Sequence, residues 1–222
     1  MEKQELKDFM NNEIRTFGRR HGKKLSIRKQ WLMDNLLPDI VPNVEDFAKK
    51  PVILEIGFGN GEHLRDLSLN NPESIVVGAE PFANGVAALL SAITNESDNA
   101  LFDEYKNIRV WPDDIRLLLK DLQNVNLSQI WILHPDPWPK ARHEKRRLLN
   151  HEFLNLLSKY IGENGQIIIG TDHWEYYDWI VEQLKQTNLV IKSTTLDTIK
   201  TRYQIKNKAG TTNPKYLILS NK

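Results

Sequence analysis

Five short apolar runs rich in strand-forming residues, 52–56, 74–79, 107–111, 129–134 and 165–171, are separated by segments long enough for a helix. That alternation is highly restrictive. Parallel neighbours need a crossover, and a crossover of this length is a helix lying on one face of the sheet. Right-handed crossovers then give an α/β fold, a doubly wound and mostly parallel sheet. Two further strand-like runs, 189–195 and 215–220, have no long helix between them and are expected to pair antiparallel at the sheet edge. In such folds ligands gather outside the carboxyl ends of the strands, so the loops that follow each run are where chemistry is sought.

With 222 residues and 40% apolar composition, the chain can build one substantial core. Residues 1–48 read as a basic N-terminal arm or cap, broken by Gly18, Gly22, Pro38 and Pro42, with Trp31, Leu32, Leu36 and Leu37 placed to dock as a short helix. Residues 49–222 are expected to carry the catalytic domain. No run approaches the roughly 18 apolar residues of a membrane span, and Met1-Glu2-Lys3-Gln4-Glu5 lacks the apolar core of a secretion signal. There is no cysteine, and the six histidines are scattered without a pair at ligand spacing. A cytoplasmic protein without a membrane or metal partner is the expectation.

The net charge of +1 conceals two cationic clusters. Arg15, Arg19, Arg20, Lys23, Lys24, Arg28 and Lys29 fall in a stretch without an acid; Lys140, Arg142, Lys145, Arg146 and Arg147 stand against Glu144 alone. Phosphate binding follows local potential and not total charge, so these patches suit a nucleic acid.

After the first run comes Glu55-Ile56-Gly57-Phe58-Gly59-Asn60-Gly61. Gly57 and Gly59 let backbone approach a ligand closely. A dinucleotide site favours a G-x-G-x-x-G spacing; here the third glycine comes one residue early. Glu55 would repel a pyrophosphate yet suits a ligand carrying an amino group and a sulfonium, S-adenosylmethionine. At the end of the second run, Glu80 can accept both ribose hydroxyls of an adenosine. That acid serves a nicotinamide cofactor equally, so a nicotinamide oxidoreductase remains a second reading. Asp113 and Asp114, after the third run, offer an acid for the adenine amino group. Which of the two does so is open.

The segment 134–147 joins an acid, Asp136, locked between Pro135 and Pro137, to the second cationic cluster. Prolines fix φ and stiffen the loop around Asp136 and Trp138. An acid held at a strand end beside a dense cationic run points to chemistry on a polyanion.

These residues together resemble the bacterial tRNA (guanine-N7-)-methyltransferases, class I enzymes with a Rossmann-like fold that use S-adenosylmethionine. The resemblance rests on Arg15-Thr16-Phe17-Gly18-Arg19-Arg20, Glu55-Ile56-Gly57-Phe58-Gly59, Asp136-Pro137-Trp138-Pro139-Lys140 with Arg142-His143 and Lys145-Arg146-Arg147, and Thr171-Asp172. It implies that Glu55, Glu80, Asp114 and Asp136 contact the cofactor and that Lys140 and Asp172 contact the RNA. Asp136 and Asp172 are the expected catalytic pair, Asp172 gripping the guanine edge. Arg19, Arg20, Arg142, His143, Lys145, Arg146 and Arg147 are expected along the tRNA. Thr201-Arg202-Tyr203-Gln204 resembles the family's substrate-binding Thr-x-aromatic-Glu element, with Gln204 in place of the acid. That amide keeps hydrogen bonding and loses charge, which admits a noncatalytic RNA-binding module as a third reading. Enzymes that methylate exocyclic amines use an Asn/Asp-Pro-Pro-aromatic segment; Asp136-Pro137-Trp138 departs from it, favouring a ring nitrogen. The expected assembly is a monomer or a homodimer.

Overall fold

The computed structural model describes residues 17–18, 20–122, 125–195 and 214–222. They fall into two compact units, Met1–Gln123 and Asn124–Lys222.

In the first unit, Ser26 accepts a hydrogen bond from the Lys29 amide and so caps α1 (Ile27–Asn35). Next come α2 (Leu37–Ile40), with Pro38 in its first turn where a missing N–H costs nothing, and α3 (Asp46–Lys49). Of the four residues expected to dock, Leu32 and Leu37 are buried, Leu36 is partly so and Trp31 stays half exposed; Ile40 is buried beside them in sequence. The core elements are β1 (Val52–Ile56), α4 (Glu62–Asn70), β2 (Ile75–Ala79), α5 (Ala83–Ala92), β3 (Ile108–Trp111) and α6 (Ile115–Leu119). Every residue of β1 and β2 is buried, as expected of parallel strands covered on both faces. The register sets Glu55 opposite Gly78 and Ala79 opposite Trp111. Glu55, Glu80 and the Asp113–Asp114 pair thereby come to the carboxyl ends of three adjacent strands.

The second unit contains β4 (Leu127–Leu133), α7 (His151–Ser158), β5 (Ile161–Thr171), α8 (Trp174–Leu184), β6 (Leu189–Ser193) and β7 (Lys215–Asn221). Asn150 caps α7 and His173 caps α8 through their side chains. Strand β5 starts ahead of the expected 165–171, with a register shift between Leu127 and Gln129 on β4. The strands run β3-β2-β1 in the first unit and β4-β5-β7-β6 in the second. Strands β1, β2 and β3 are parallel in the first unit; in the second β4 and β5 are parallel and β7 runs antiparallel to both β5 and β6. The α/β class and the antiparallel pairing at the edge thus agree with the sequence pattern, and β6 is the outermost strand. Among the described residues no helix is long and apolar enough to cross a membrane.

Candidate functional site

In the first unit the chain turns out of β1 through three glycines in the left-handed region, Gly57 (φ 77°), Gly59 (φ 58°) and Gly61 (φ 78°). A side chain at Gly57 or Gly59 would meet nothing within 4 Å, so the loop borders open space. On its other side the loop is tightly backed, since a side chain at Gly85 on α5 would run into the Gly59 carbonyl. Glu80 shapes the same loop. One of its carboxylate oxygens accepts from the Gly59 amide and the other from the Phe82 amide, both at 2.8 Å. Both bonds bring the Glu80 carboxylate to the backbone of the glycine loop and of the turn that follows β2.

Glu55 is only 3% exposed. Its Oε1 lies 3.1 Å from His63 Nδ1, while Oε2 is buried without a hydrogen-bond partner among the described residues. A buried carboxylate oxygen left without a donor costs on the order of 1–3 kcal/mol. Its retention beside open space fits a cationic ligand.

The two neighbouring aspartates divide their work. Asp114 caps α6, with Oδ1 accepting from the Arg116 amide and Nε and Oδ2 from Arg116 Nη2. Asp113, 2% exposed, takes Arg20 and the Asp114 amide on Oδ1, while Oδ2 is buried with no partner among the described residues. Asp113 is therefore the acid with an acceptor to spare.

The arm is held onto this unit by its own cations. Arg20 pairs with Asp113, and its carbonyl accepts from the Ala83 amide; Asn84 bonds the Gly22 amide and the Lys23 carbonyl. Arg28 reaches Ser91, Thr94 and Asn99. Lys23 and Lys24 remain exposed. The arm cluster, read from sequence as one cationic surface, is split between structural and solvent-facing charges. Arg15, Thr16 and Arg19 lie outside the described residues.

In the second unit the loop after β4 has two non-glycine residues at positive φ, His134 (50°) and Trp138 (42°), one on each side of Asp136. Such backbone persists only where surroundings impose it, and it concentrates at functional sites. Asp136 is exposed between them. Asp172, half exposed just past the end of β5, has Oδ1 3.6 Å from His134 Nδ1, and the His134 amide donates to the Gly170 carbonyl at 2.7 Å. Of the two expected catalytic acids, Asp172 thus lies against His134, and Asp136 follows that histidine by two positions in the chain.

Beyond Pro139 the chain forms a 3-10 turn, Ala141–Arg146. Lys140, Arg142 and Lys145 are exposed. The Arg146 guanidinium lies 5.0 Å over the Trp138 ring, and His143 meets that ring edge-on at 5.7 Å. Desolvation, then the charges of Arg146, Arg142 and Lys140, lower the His143 pKa from its ordinary value. Arg147, expected along the RNA, points inward instead and is 6% exposed. Thr201, Arg202, Tyr203 and Gln204 lie outside the described residues. Among the described residues no group of three or more metal-ligating side chains gathers.

Against this geometry, the family model described as a putative methyltransferase matches residues 49–214. A tRNA (guanine-N(7)-)-methyltransferase of Caulobacter vibrioides is 39% identical over 178 residues, covering 77% of this chain and 76% of that protein. The chain belongs to the tRNA (guanine-N(7)-)-methyltransferase family. A Wolbachia pipientis member is 43% identical over 144 residues, 65% of this chain, which spans 62% of that protein's length. Among solved structures, precorrin-6y C5,15-methyltransferase from Geobacter metallireducens superposes with a TM-score of 0.54 at 15% identity, covering 96% of this chain and 95% of that one. That likeness gives the fold alone: the Rossmann-like arrangement expected of the family. Family membership sets aside the nicotinamide reading.

Three features of the site escaped the sequence. His63 beside Glu55 is a lone histidine on a helix, with no local signal. The inward turn of Arg147 is hidden in a run of similar cations. The close approach of Gly85 to the glycine loop depends on how α5 packs, which spacing along the chain does not encode.

Proposed function

We infer that the protein transfers a methyl group from S-adenosylmethionine to N7 of a guanine in the variable loop of tRNA. The observation that carries this is the buried Glu55 carboxylate, with one oxygen unsatisfied, beside the open space at Gly57 and Gly59. That environment fits an amino acid's ammonium group. Glu80, held against the Gly59 amide at the end of β2, is the acid for the ribose hydroxyls, and Asp113 keeps a buried acceptor for the adenine amino group, with Asp114 committed to α6 and Arg116.

When bound, the cofactor would supply an activated methyl on a sulfonium: the free lone pair of guanine N7 can take it without first losing a proton, the S–CH3 electron pair staying on sulfur as neutral S-adenosylhomocysteine and the positive charge passing to the purine. The chain therefore needs no strong general base. Asp172 accepts from the guanine N1 and N2 donors and holds the base; Asp136 contacts the cofactor and, as charge appears on the purine, stabilises it. Lys140, Arg142, His143, Lys145 and Arg146 hold the RNA backbone, joined by Arg19 and by the 201–204 element. Residues 49–222 form the methyltransferase domain and 1–48 the arm, a division supported by the family match at 49–214. The protein works in the cytoplasm as a monomer or homodimer.

Incubation with methyl-labelled S-adenosylmethionine and unmodified tRNA, followed by mapping of the modified nucleotide, tests the reading. The expected product is one N7-methylguanine in the variable loop. Cofactor binding with no such product would overturn it and favour the noncatalytic RNA-binding module.

A further inference from the structure

We propose that Arg147 is a positioning residue for methyl transfer, a buried brace that sets the Asp136 loop against helix α8, and not an RNA contact like its neighbours. This rests on the roles given above to Asp136 and Asp172. Within the run 140–147, Lys140, Arg142 and Lys145 face solvent while Arg147 is buried. Its Nε donates to the Pro137 carbonyl at 2.9 Å and its Nη2 to the Trp138 carbonyl at 3.5 Å. Both acceptors belong to the loop that presents Asp136, and Trp138 has the strained φ of 42°. The other side of the guanidinium stacks on α8, 4.9 Å from the Trp179 ring centre and 5.5 Å from that of Tyr176. Tyr176 is fully buried and itself holds the Leu149 amide.

One planar cation thus joins two elements by two kinds of contact. Its N–H edge grips loop carbonyls and its faces pack on aromatic rings, a combination a guanidinium can make and an ammonium cannot. The Asp136 loop follows β4, and α8 begins two residues after Asp172, so the brace controls the spacing of the two acids. The pair Arg147 Nη1–Glu144 Oε1, at 3.5 Å, adds a link to the 3-10 turn. A cation so enclosed has no open N–H edge for a phosphate.

Arg147→Gln, Arg147→Lys, Trp179→Leu and Arg142→Gln are compared with wild type for kcat, tRNA KM, cofactor affinity and the salt dependence of tRNA binding. Wild-type N7-methylguanine formation is the entry condition; its absence sinks the functional reading and not the brace. A displacement of about 1 Å at the reacting groups costs on the order of 100-fold in rate. Arg147→Gln should therefore lower kcat by about that factor, with the salt slope unchanged and cofactor affinity within about twofold of wild type. Arg147→Lys should recover only part of the loss. Arg142→Gln should instead weaken tRNA binding and reduce the salt slope by about one. Should Arg147→Gln fail to fold, Trp179→Leu decides, since it removes one stacking ring and keeps the carbonyl contacts: a fall in kcat at constant KM and salt slope supports the brace. An Arg147→Gln or Trp179→Leu enzyme with wild-type kcat, or an Arg147→Gln salt slope reduced like that of Arg142→Gln, overturns it.

Discussion

Replacing Glu55 with glutamine should separate binding from folding, because the two respond with different signs. In the folded chain Glu55 is buried, one oxygen near His63 and the other without a donor. The amide keeps shape and one acceptor but loses the charge. Opposite unit charges about 4 Å apart attract by about 4 kcal/mol at an effective dielectric near 20. The amide also escapes part of the desolvation cost that a buried carboxylate bears, which leaves a net loss of about 2 to 3 kcal/mol, typical of a hydrogen bond to a charged group. That is roughly a 30- to 150-fold weaker affinity for S-adenosylmethionine. At a cofactor concentration of about 100 times the wild-type Kd, ligand stabilisation should shrink from about 2.7 kcal/mol to about 0.4 kcal/mol for a hundredfold loss. For a chain of this size, the cofactor-induced rise in Tm then falls from about 5–11 °C to about 1–2 °C. Without cofactor, the variant should stay within about 1 kcal/mol of wild type or become more stable, since an unsatisfied buried charge has been removed. Calorimetric titration and thermal melts read both quantities. A Glu55→Gln protein that loses stability without ligand yet keeps the full cofactor-induced shift would refute this reasoning and assign Glu55 to the fold through His63.

The glycine loop supplies a second contrast. Gly59→Ala meets open space and should cost the fold only the left-handed backbone term of about 1–2 kcal/mol, its methyl entering the space proposed for the cofactor, whereas Gly85→Ala drives a methyl into the Gly59 carbonyl and should cost the fold about 1–3 kcal/mol and weaken cofactor binding by shifting the loop. Equal cofactor affinity in wild type and Gly85→Ala would mean the loop does not line the cofactor site. Within the arm, Arg28→Ala should lower Tm by removing bonds to Ser91, Thr94 and Asn99, while Lys24→Ala should leave Tm alone and reduce the salt slope of tRNA binding. The reverse pattern would exchange their roles. Because its pKa is lowered, His143 should gain its charge at a lower pH than an ordinary histidine does. Affinity for tRNA should therefore rise as pH falls through that lowered range, and His143→Asn should remove this component; an unchanged profile would place His143 away from the RNA.

Much of the fold and part of the site were legible in the sequence, for reasons that differ from element to element. The buried runs of β1 and β2, and the helices between strands, follow from apolar periodicity and crossover length, which are local properties of the chain. The placement of Glu55, Glu80 and the Asp113–Asp114 pair at strand ends was legible because the parallel topology delivers the ends of successive strands to one side of the sheet. The division of labour within that pair was not legible, since it depends on Asp114 capping the helix that carries Arg116 and on Arg20 reaching Asp113 from 93 positions away in sequence. The arm's cations look alike as letters, yet Arg28 is enclosed by three distant side chains while Lys24 meets solvent.

By itself, then, the sequence determined the α/β class, the order of strands and helices, the acids at the strand ends and the rigid proline loop, because each is set by neighbours within a few residues. Only the tertiary structure decided which cations are spent inside the protein, which aspartate keeps a free oxygen, and how Trp138 and His134 are held at positive φ around Asp136. Those outcomes arise from burial, and burial is decided by segments far apart in the chain competing for the same side chain. Arg147 and Arg142 carry the same charge five residues apart; the aromatic pair on α8 is what turns one of them inward.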